Sequence, residues 1–242
     1  MRVLLSGGGT GGHIYPALAM LKEIRERVPQ ASFLYIGTNK GLEADIVPKE
    51  GIPFESIEIT GFKRKLSVDN LKTILRFLQG VRESKRIIRK FKPDIVIGTG
   101  GYVCGPVVFA AARLHIPTLI HEQNVVPGLT NKFLSRYATK VAVSFSDSKA
   151  YFKRKGVHIT GNPRASEVLK GNGHLGRKTL SLPQDKKVVL IVGGSRGAKA
   201  INQAFLDMLD RLGELADCHF VYVTGSVHYE EISQTLSQVK DL

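Results

Sequence analysis

Short apolar runs alternate along this chain with longer stretches whose apolar positions recur at helical spacing. Arg2–Ser6, Phe33–Ile36, Ile95–Gly98, Thr118–His121 and Lys140–Val143 are rich in Val, Ile and Leu. Runs of about five such residues predict strands buried on both faces, as in a parallel sheet. Between them, Ala17, Met20, Leu21, Ile24 and Val28 trace one helical face, and Leu71, Ile74, Leu75, Leu78 and Val81 trace another. Pro16 is expected at the start of the earlier helix, where its missing N–H costs nothing. Strands alternating with helices predict an α/β fold with a doubly wound parallel sheet.

The pattern changes over residues 161–186, which hold four glycines and two prolines and no long periodic segment. Val188–Val192 then gives a new strand, Gly193 and Gly194 a turn, Ala198–Leu212 a helix and Phe220–Thr224 a further strand. A second α/β domain is therefore expected, with residues 1–164 forming one domain and 165–242 a linker and the beginning of the other. Open sheets usually have about four or more strands. Two strands predict either an unusually small second domain or, as the favoured reading, a fragment of a longer protein.

At 242 residues the chain suits one to two domains, and 43% apolar with 23% charged residues excludes wholesale disorder. Its net charge of +14 calls for an anionic partner. Between Lys63 and Lys92, eleven Lys or Arg face only Asp69 and Glu83, so net +9 is concentrated in one eighth of the chain. The same stretch carries Leu66, Leu71, Ile74, Leu75, Phe77, Leu78 and Val81. Two readings stay open: a surface that sits on an anionic membrane, or a core-facing helix with a solvated basic back. Cys104 and Cys218 form no disulfide pattern, which indicates a reducing compartment. No secretory signal is expected, because Met1–Ser6 runs straight into glycines. Ile95–Ala112 is 18 residues without a charge, but its internal glycines and Pro106 fit strand, loop and buried helix better than a membrane span.

Three glycine loops follow predicted strands: GGGTGGH at Gly7–His13, GTGGYVCGP at Gly98–Pro106 and GGSRGA at Gly193–Ala198. Glycine lets backbone N–H groups approach a ligand, and a helix N-terminus adds partial positive charge, so each loop suits a diphosphate. The same glycines also permit tight turns with no ligand at all. A nicotinamide dinucleotide would need a carboxylate at the end of the second strand, where Gly37-Thr38-Asn39 stand and no acid precedes Glu43. No Gly-Lys-Ser/Thr sequence follows any loop, and no RNA-binding, zinc-finger or helix-turn-helix signature accompanies the charge, so nucleic acid is not an expected partner.

Taken together, GGGTGGHIYPALA at 7–19, GTGGYVCGPV from Gly98, HEQN at 121–124 with PGLTN at 127–131, TGNPR at 160–164 and GGSRGA at 193–198 resemble the MurG family. These are bacterial transferases that add N-acetylglucosamine to the lipid-linked muramyl-pentapeptide of peptidoglycan synthesis. The resemblance runs the length of the chain, with the motifs in order. It implies two Rossmann-like domains of the GT-B glycosyltransferase type. It further implies transfer from UDP-N-acetylglucosamine to the muramyl C4 hydroxyl of lipid I, giving lipid II with inversion, and a peripheral location on the cytoplasmic face of the cell membrane. Other cell-wall enzymes are possible partners. No cofactor and no essential metal are implied beyond the donor substrate, and the sequence offers no Asp-x-Asp pair. Carried over by position, Thr10, Gly11 and Gly12 would lie near the diphosphates and Asn124 at the donor sugar. Arg164 and Ser195 would lie at the UDP phosphates, Tyr102 would shape the acceptor side, and Asn131 would bind substrate. His13 and Glu122 are the candidates for catalytic base. The alternatives are a capping or structural hydrogen bond for His13 and the orienting of neighbours for Glu122. The family's remaining donor contacts lie mostly beyond residue 242, so little activity is expected of this chain alone.

Overall fold

The computed structural model describes residues 1–60, 69–153, 156–194 and 197–239, with only the backbone of 69–72. The chain separates into two compact units, Met1–Leu169 and Lys170–Leu242.

The first unit runs β1 (Arg2–Ser6), α1 (Gly11–Arg27), β2 (Ser32–Gly37), α2 (Glu43–Lys49), β3 (Phe54–Ser56), α3 (Asp69–Phe91), β4 (Ile95–Gly98), α4 (Cys104–Arg113), β5 (Thr118–Glu122), α5 (Leu129–Leu134), β6 (Lys140–Val143), β7 (Val157–Ile159) and α6 (Ala165–Leu169). Its seven strands form one parallel sheet in the order β3-β2-β1-β4-β5-β6-β7. All five strands expected in this unit are present, and the fold is doubly wound. The edge strands β3 and β7 were not expected. At three residues each they are too short to leave a periodic signal.

One side of the sheet packs Val3, Leu5, Ile14, Ala17, Leu21, Phe33 and Tyr35. The other packs Leu4, Ile36, Val96, Val107, Val108, Ile120 and Val141. Adjacent strand residues pointing to opposite faces explain why Leu4 and Leu5 enter different clusters. Ile95–Ala112 resolves into β4, a glycine loop and α4 rather than one long helix, and no helix among the described residues is long and apolar enough to cross a membrane.

Two helices differ from expectation. α1 starts at Gly11, so Pro16 lies inside it, buried, and Gly12 O cannot receive an N–H from that position. In α3 the buried face is Thr73, Phe77, Gly80, Val81, Ser84 and Ile88, because small Gly80 lets the helix approach Pro106 of α4. Ile74, Leu75 and Leu78, which share an apolar helical face with Val81 in the sequence, point outward while Val81 is buried. Behind them, Phe77, Phe109, Phe133 and Tyr137 form a chain of ring contacts across α3, α4 and α5, with centroid separations of 4.9–6.0 Å.

The second unit contains α7 (Gly173–Thr179), β8 (Lys187–Val192), α8 (Lys199–Leu206), β9 (Cys218–Val223) and α9 (Tyr229–Ser237). β8 and β9 pair in parallel as a two-stranded sheet among the described residues. The helix expected over Ala198–Leu212 stops at Leu206, and a 3₁₀ segment covers Leu209–Leu215 around Gly213.

Candidate active site

The strand order reverses direction at β1, whose neighbours are β2 on one side and β4 on the other. In doubly wound sheets a crevice opens at such a point, outside the carboxyl ends of the strands. The loops after β1 and β4 are two of the three glycine loops, and they touch. Gly8 N donates to Gly100 O at 3.3 Å, and Thr99 N to Ser6 O at 3.0 Å. A side chain at Gly101, whose φ is +83°, would overlap the Gly8 carbonyl, so the close approach of the two loops requires glycine there.

Buried side chains fix the loop after β1 from below. Tyr35 Oη donates to Gly7 O at 2.7 Å, and burial pushes the Tyr35 phenol well above its ordinary pKa, keeping it a neutral donor. Thr99 Oγ1 donates to His13 O at 2.6 Å. Glu43, with no exposed surface, accepts from Gly9 N at 3.0 Å through Oε2, and from Thr38 N and Oγ1 at 3.1 and 2.8 Å through Oε1. The sequence drew attention to Glu43 only as the first acid after β2. Its inward direction has no local signature.

His13 sits in the first turn of α1. Its Nδ1 lies 3.0 Å from Gly8 O and 3.3 Å from Thr10 Oγ1. A carbonyl can only accept, so Nδ1 carries a proton, and in the neutral ring Nε2 presents a lone pair. Nε2 has no protein partner among the described residues and faces the second loop, within 3.1 Å of where a side chain on Gly100 would begin. Thr10 holds the N-cap position without a side-chain capping bond. Gly11 and Gly12 open the helix above it, and the Tyr102 ring lies beside Gly9.

Glu122 ends β5 and is buried. Its Oε1 accepts from Asn124 N and Nδ2 at 2.9 and 3.0 Å, and its Oε2 from Gly128 N and Asn131 Nδ2 at 3.2 and 2.9 Å. Four donors from the loop 124–131 thus converge on this one carboxylate. Asn131 is equally buried, and its Nδ2 also reaches His121 O. Asn124 is exposed, with its Nδ2 committed to Glu122. His121 supplies a link that the sequence reading did not single out: Nε2–H donates to Gly161 O at 3.0 Å while Nδ1 accepts from Gln123 Nε2 at 3.1 Å. Burial pushes His121 below the usual histidine range, partly opposed by that carbonyl and by Glu122.

Arg164 lies 4.8 Å over the Tyr15 ring and pairs with Glu167 at 3.1 Å. Its guanidinium thus rests beside the first turns of α1. Ser195 lies outside the described residues, as does the stretch 61–68 of the basic segment. Among the described residues no group of three His, Cys, Asp or Glu could hold a metal ion. Cys104 is buried against Gly98, and desolvation pushes its thiol up to about 12, so it is inert.

Residues 3–143 match the glycosyltransferase family 28 N-terminal domain and residues 188–242 the glycosyltransferase family 28 C-terminal domain. A curated UDP-N-acetylglucosamine–N-acetylmuramyl-(pentapeptide) pyrophosphoryl-undecaprenol N-acetylglucosamine transferase from Bacillus thuringiensis is 61% identical over 98% of this chain and 65% of its own length. The Halalkalibacterium halodurans protein of the same description is 57% identical over 99% and 66%. The chain therefore spans about two thirds of these relatives, 65% of the former. Among solved structures, Acinetobacter baumannii MurG superposes with a TM-score of 0.70 at 29% identity, covering 98% of this chain and 64% of that one. The UDP-GlcNAc 2-epimerase from Neisseria meningitidis, solved with UDP-GlcNAc, gives 0.67 at 17% identity over 100% and 70%, a likeness of fold alone.

Proposed function

The chain belongs to glycosyltransferase family 28, and on that premise we propose that it carries the acceptor side of an inverting transferase. The reaction moves N-acetylglucosamine from UDP-N-acetylglucosamine to the C4 hydroxyl of undecaprenyl-pyrophosphoryl-MurNAc-pentapeptide (lipid I), giving lipid II. The observation that carries the reading is the placing of His13: Nδ1 is held by Gly8 O, and Nε2 has no partner among the described residues. In the transfer step His13 Nε2 takes the C4 hydroxyl proton. The freed oxygen attacks the anomeric carbon from the face opposite UDP, and the breaking C–O bond leaves its electron pair on the diphosphate.

Glu122 is assigned the role of holding Asn124 toward the donor sugar and fixing Asn131 beneath the acceptor site. Thr10, Gly11 and Gly12 present backbone N–H groups at the start of α1, suited to diphosphate oxygens. Arg164 and Ser195 serve the UDP phosphates, Arg164 by leaving its stack on Tyr15, and Tyr102 borders the acceptor. UDP-N-acetylglucosamine acts as donor substrate, with no separate cofactor.

Residues 63–92 dock the protein peripherally on an anionic bilayer, the cytoplasmic face of the bacterial membrane. The outward Ile74, Leu75 and Leu78, flanked by exposed Arg76, Arg82 and Arg86, support this. A docking role alone, beside other cell-wall enzymes, is the second reading that this outward face favours for the chain without turnover. The test of the catalytic reading is His13→Gln in a protein extended to the length of the relatives, assayed with labelled UDP-N-acetylglucosamine and a lipid I analogue. A kcat lower by about 10²- to 10⁴-fold with KM little changed is expected. Unaltered kcat would remove His13 from the chemistry.

A further inference from the structure

The bonds that Glu43 and His13 make to the first glycine loop fall on the same peptide group. Glu43 Oε2 accepts the N–H of Gly9, and the carbonyl conjugated to that nitrogen, Gly8 O, accepts the Nδ1–H of His13. We propose that Glu43 is a positioning residue for His13: acting through the Gly8–Gly9 peptide, it holds the imidazole in the Nδ1–H tautomer and so keeps Nε2 a proton acceptor. The inference rests on the reading of His13 as the base.

The physical basis is the amide itself. A carboxylate accepting a peptide N–H draws that bond's electrons toward nitrogen and, through amide resonance, increases the charge on the carbonyl oxygen. The Nδ1–H bond to that oxygen is strengthened in turn. In serine hydrolases a buried carboxylate contacts the imidazole directly and fixes its tautomer. Here one planar peptide is interposed between the two groups. The rest of the loop is held by other groups, Tyr35 on Gly7, Thr99 on His13 O and the second loop on Gly8 N, so among the described residues Glu43 is the side chain that bonds the N–H of the peptide that His13 reads.

The burial of Glu43 also fits this role better than a filling of space. Gly8, Gly37 and Gly41 all crowd its side chain, so that Cβ atoms at Gly8 and Gly37 would fall within 2.5 and 2.6 Å of it. Three glycines thus make room for one carboxylate, which is costly to bury unless its acceptors are used.

Glu43→Gln separates the link from the fold. The Oε1 position serves two donors from Thr38 and the Oε2 position one from Gly9, so the glutamine oxygen keeps the Thr38 side and its NH₂ faces the Gly9 N–H. Thr38→Val is the matched control, removing one donor from the same carboxylate and leaving the Gly9 bond. The readout is the tautomer of His13 in the 242-residue chain, from ¹⁵N chemical shifts of labelled histidine at about pH 8, above the ordinary histidine pKa; His13→Gln assigns the signal. An Nδ1–H ring is expected in the wild type. The ratio of Nδ1–H to Nε2–H should fall about fivefold in Glu43→Gln, as loss of one hydrogen bond gives, and hold in Thr38→Val. An Nε2–H ring in the wild type, an unchanged ratio in Glu43→Gln, or an equal fall in Thr38→Val overturns the proposal. Failure of the base reading looks different: full transfer by the extended His13→Gln protein, with the tautomer result unaffected.

Discussion

Each unit presents the same local sequence of parts, a strand, a glycine turn and a helix, and the two differ in what surrounds them. β1 is an interior strand of seven, and Val3, Leu4 and Leu5 have no exposed surface. The turn that follows it is bonded to Tyr35, Glu43, Thr99 and Gly100 from three other segments. Among the described residues β8 has one neighbour, and Leu190 is 63% and Val192 49% exposed. Beside its turn, Asn202 Nδ2 of α8 donates to Thr224 O, just past β9, at 3.1 Å, and Gly197 lies against the same carbonyl. A glycine turn gains a fixed geometry from the layers beneath it, and the second unit has few of them in this chain.

The most direct way to break the comparison is a matched pair of substitutions. Leu4→Ala removes a fully buried side chain and is expected to cost about 2–5 kcal/mol in urea unfolding followed by circular dichroism. Leu190→Ala is the same chemical change on a strand of the same parallel type, and is expected to cost about 0.5 kcal/mol or less. Comparable losses would show that β8 is covered as β1 is. A smaller effect sharpens the account of the outer face of α3. Leu75 and Leu78 are 60% and 57% exposed. Replacing both with Ser should weaken binding to vesicles containing anionic lipid by about tenfold, through lost apolar burial in the interface, and leave the unfolding midpoint in place. A lowered midpoint with unchanged vesicle binding would assign those leucines to packing.

The sheet was legible because central strands are buried on both faces and read as unbroken apolar runs: β1, β4 and β6 match the expected residues end to end. β3 and β7 escaped for the converse reason, since edge strands of three residues bury too little to stand out. The outward turn of Ile74, Leu75 and Leu78 was hidden because periodicity shows that a helix has an apolar face and leaves open which face meets the sheet; Gly80 against Pro106 decided it. Of the candidate site, His13, Thr10 and the glycines were readable as a strand-to-helix turn. Glu43 and Tyr35 were not, because they reach the loop from 34 and 28 positions away in sequence. Glu122 was found for its place after β5, but its four donors became apparent only once the 124–131 loop was folded around it.

Transfer of labelled N-acetylglucosamine to a lipid I analogue, run on this 242-residue chain beside one extended to the length of its relatives, tests the contrast between the units and the proposed chemistry together. Transfer by the extended protein, with this chain lower by orders of magnitude, is the predicted result. Equal transfer by both would mean that the sparsely covered second unit already holds a working donor site, and silence from both, under conditions where an established transferase turns over, would contradict the proposed reaction.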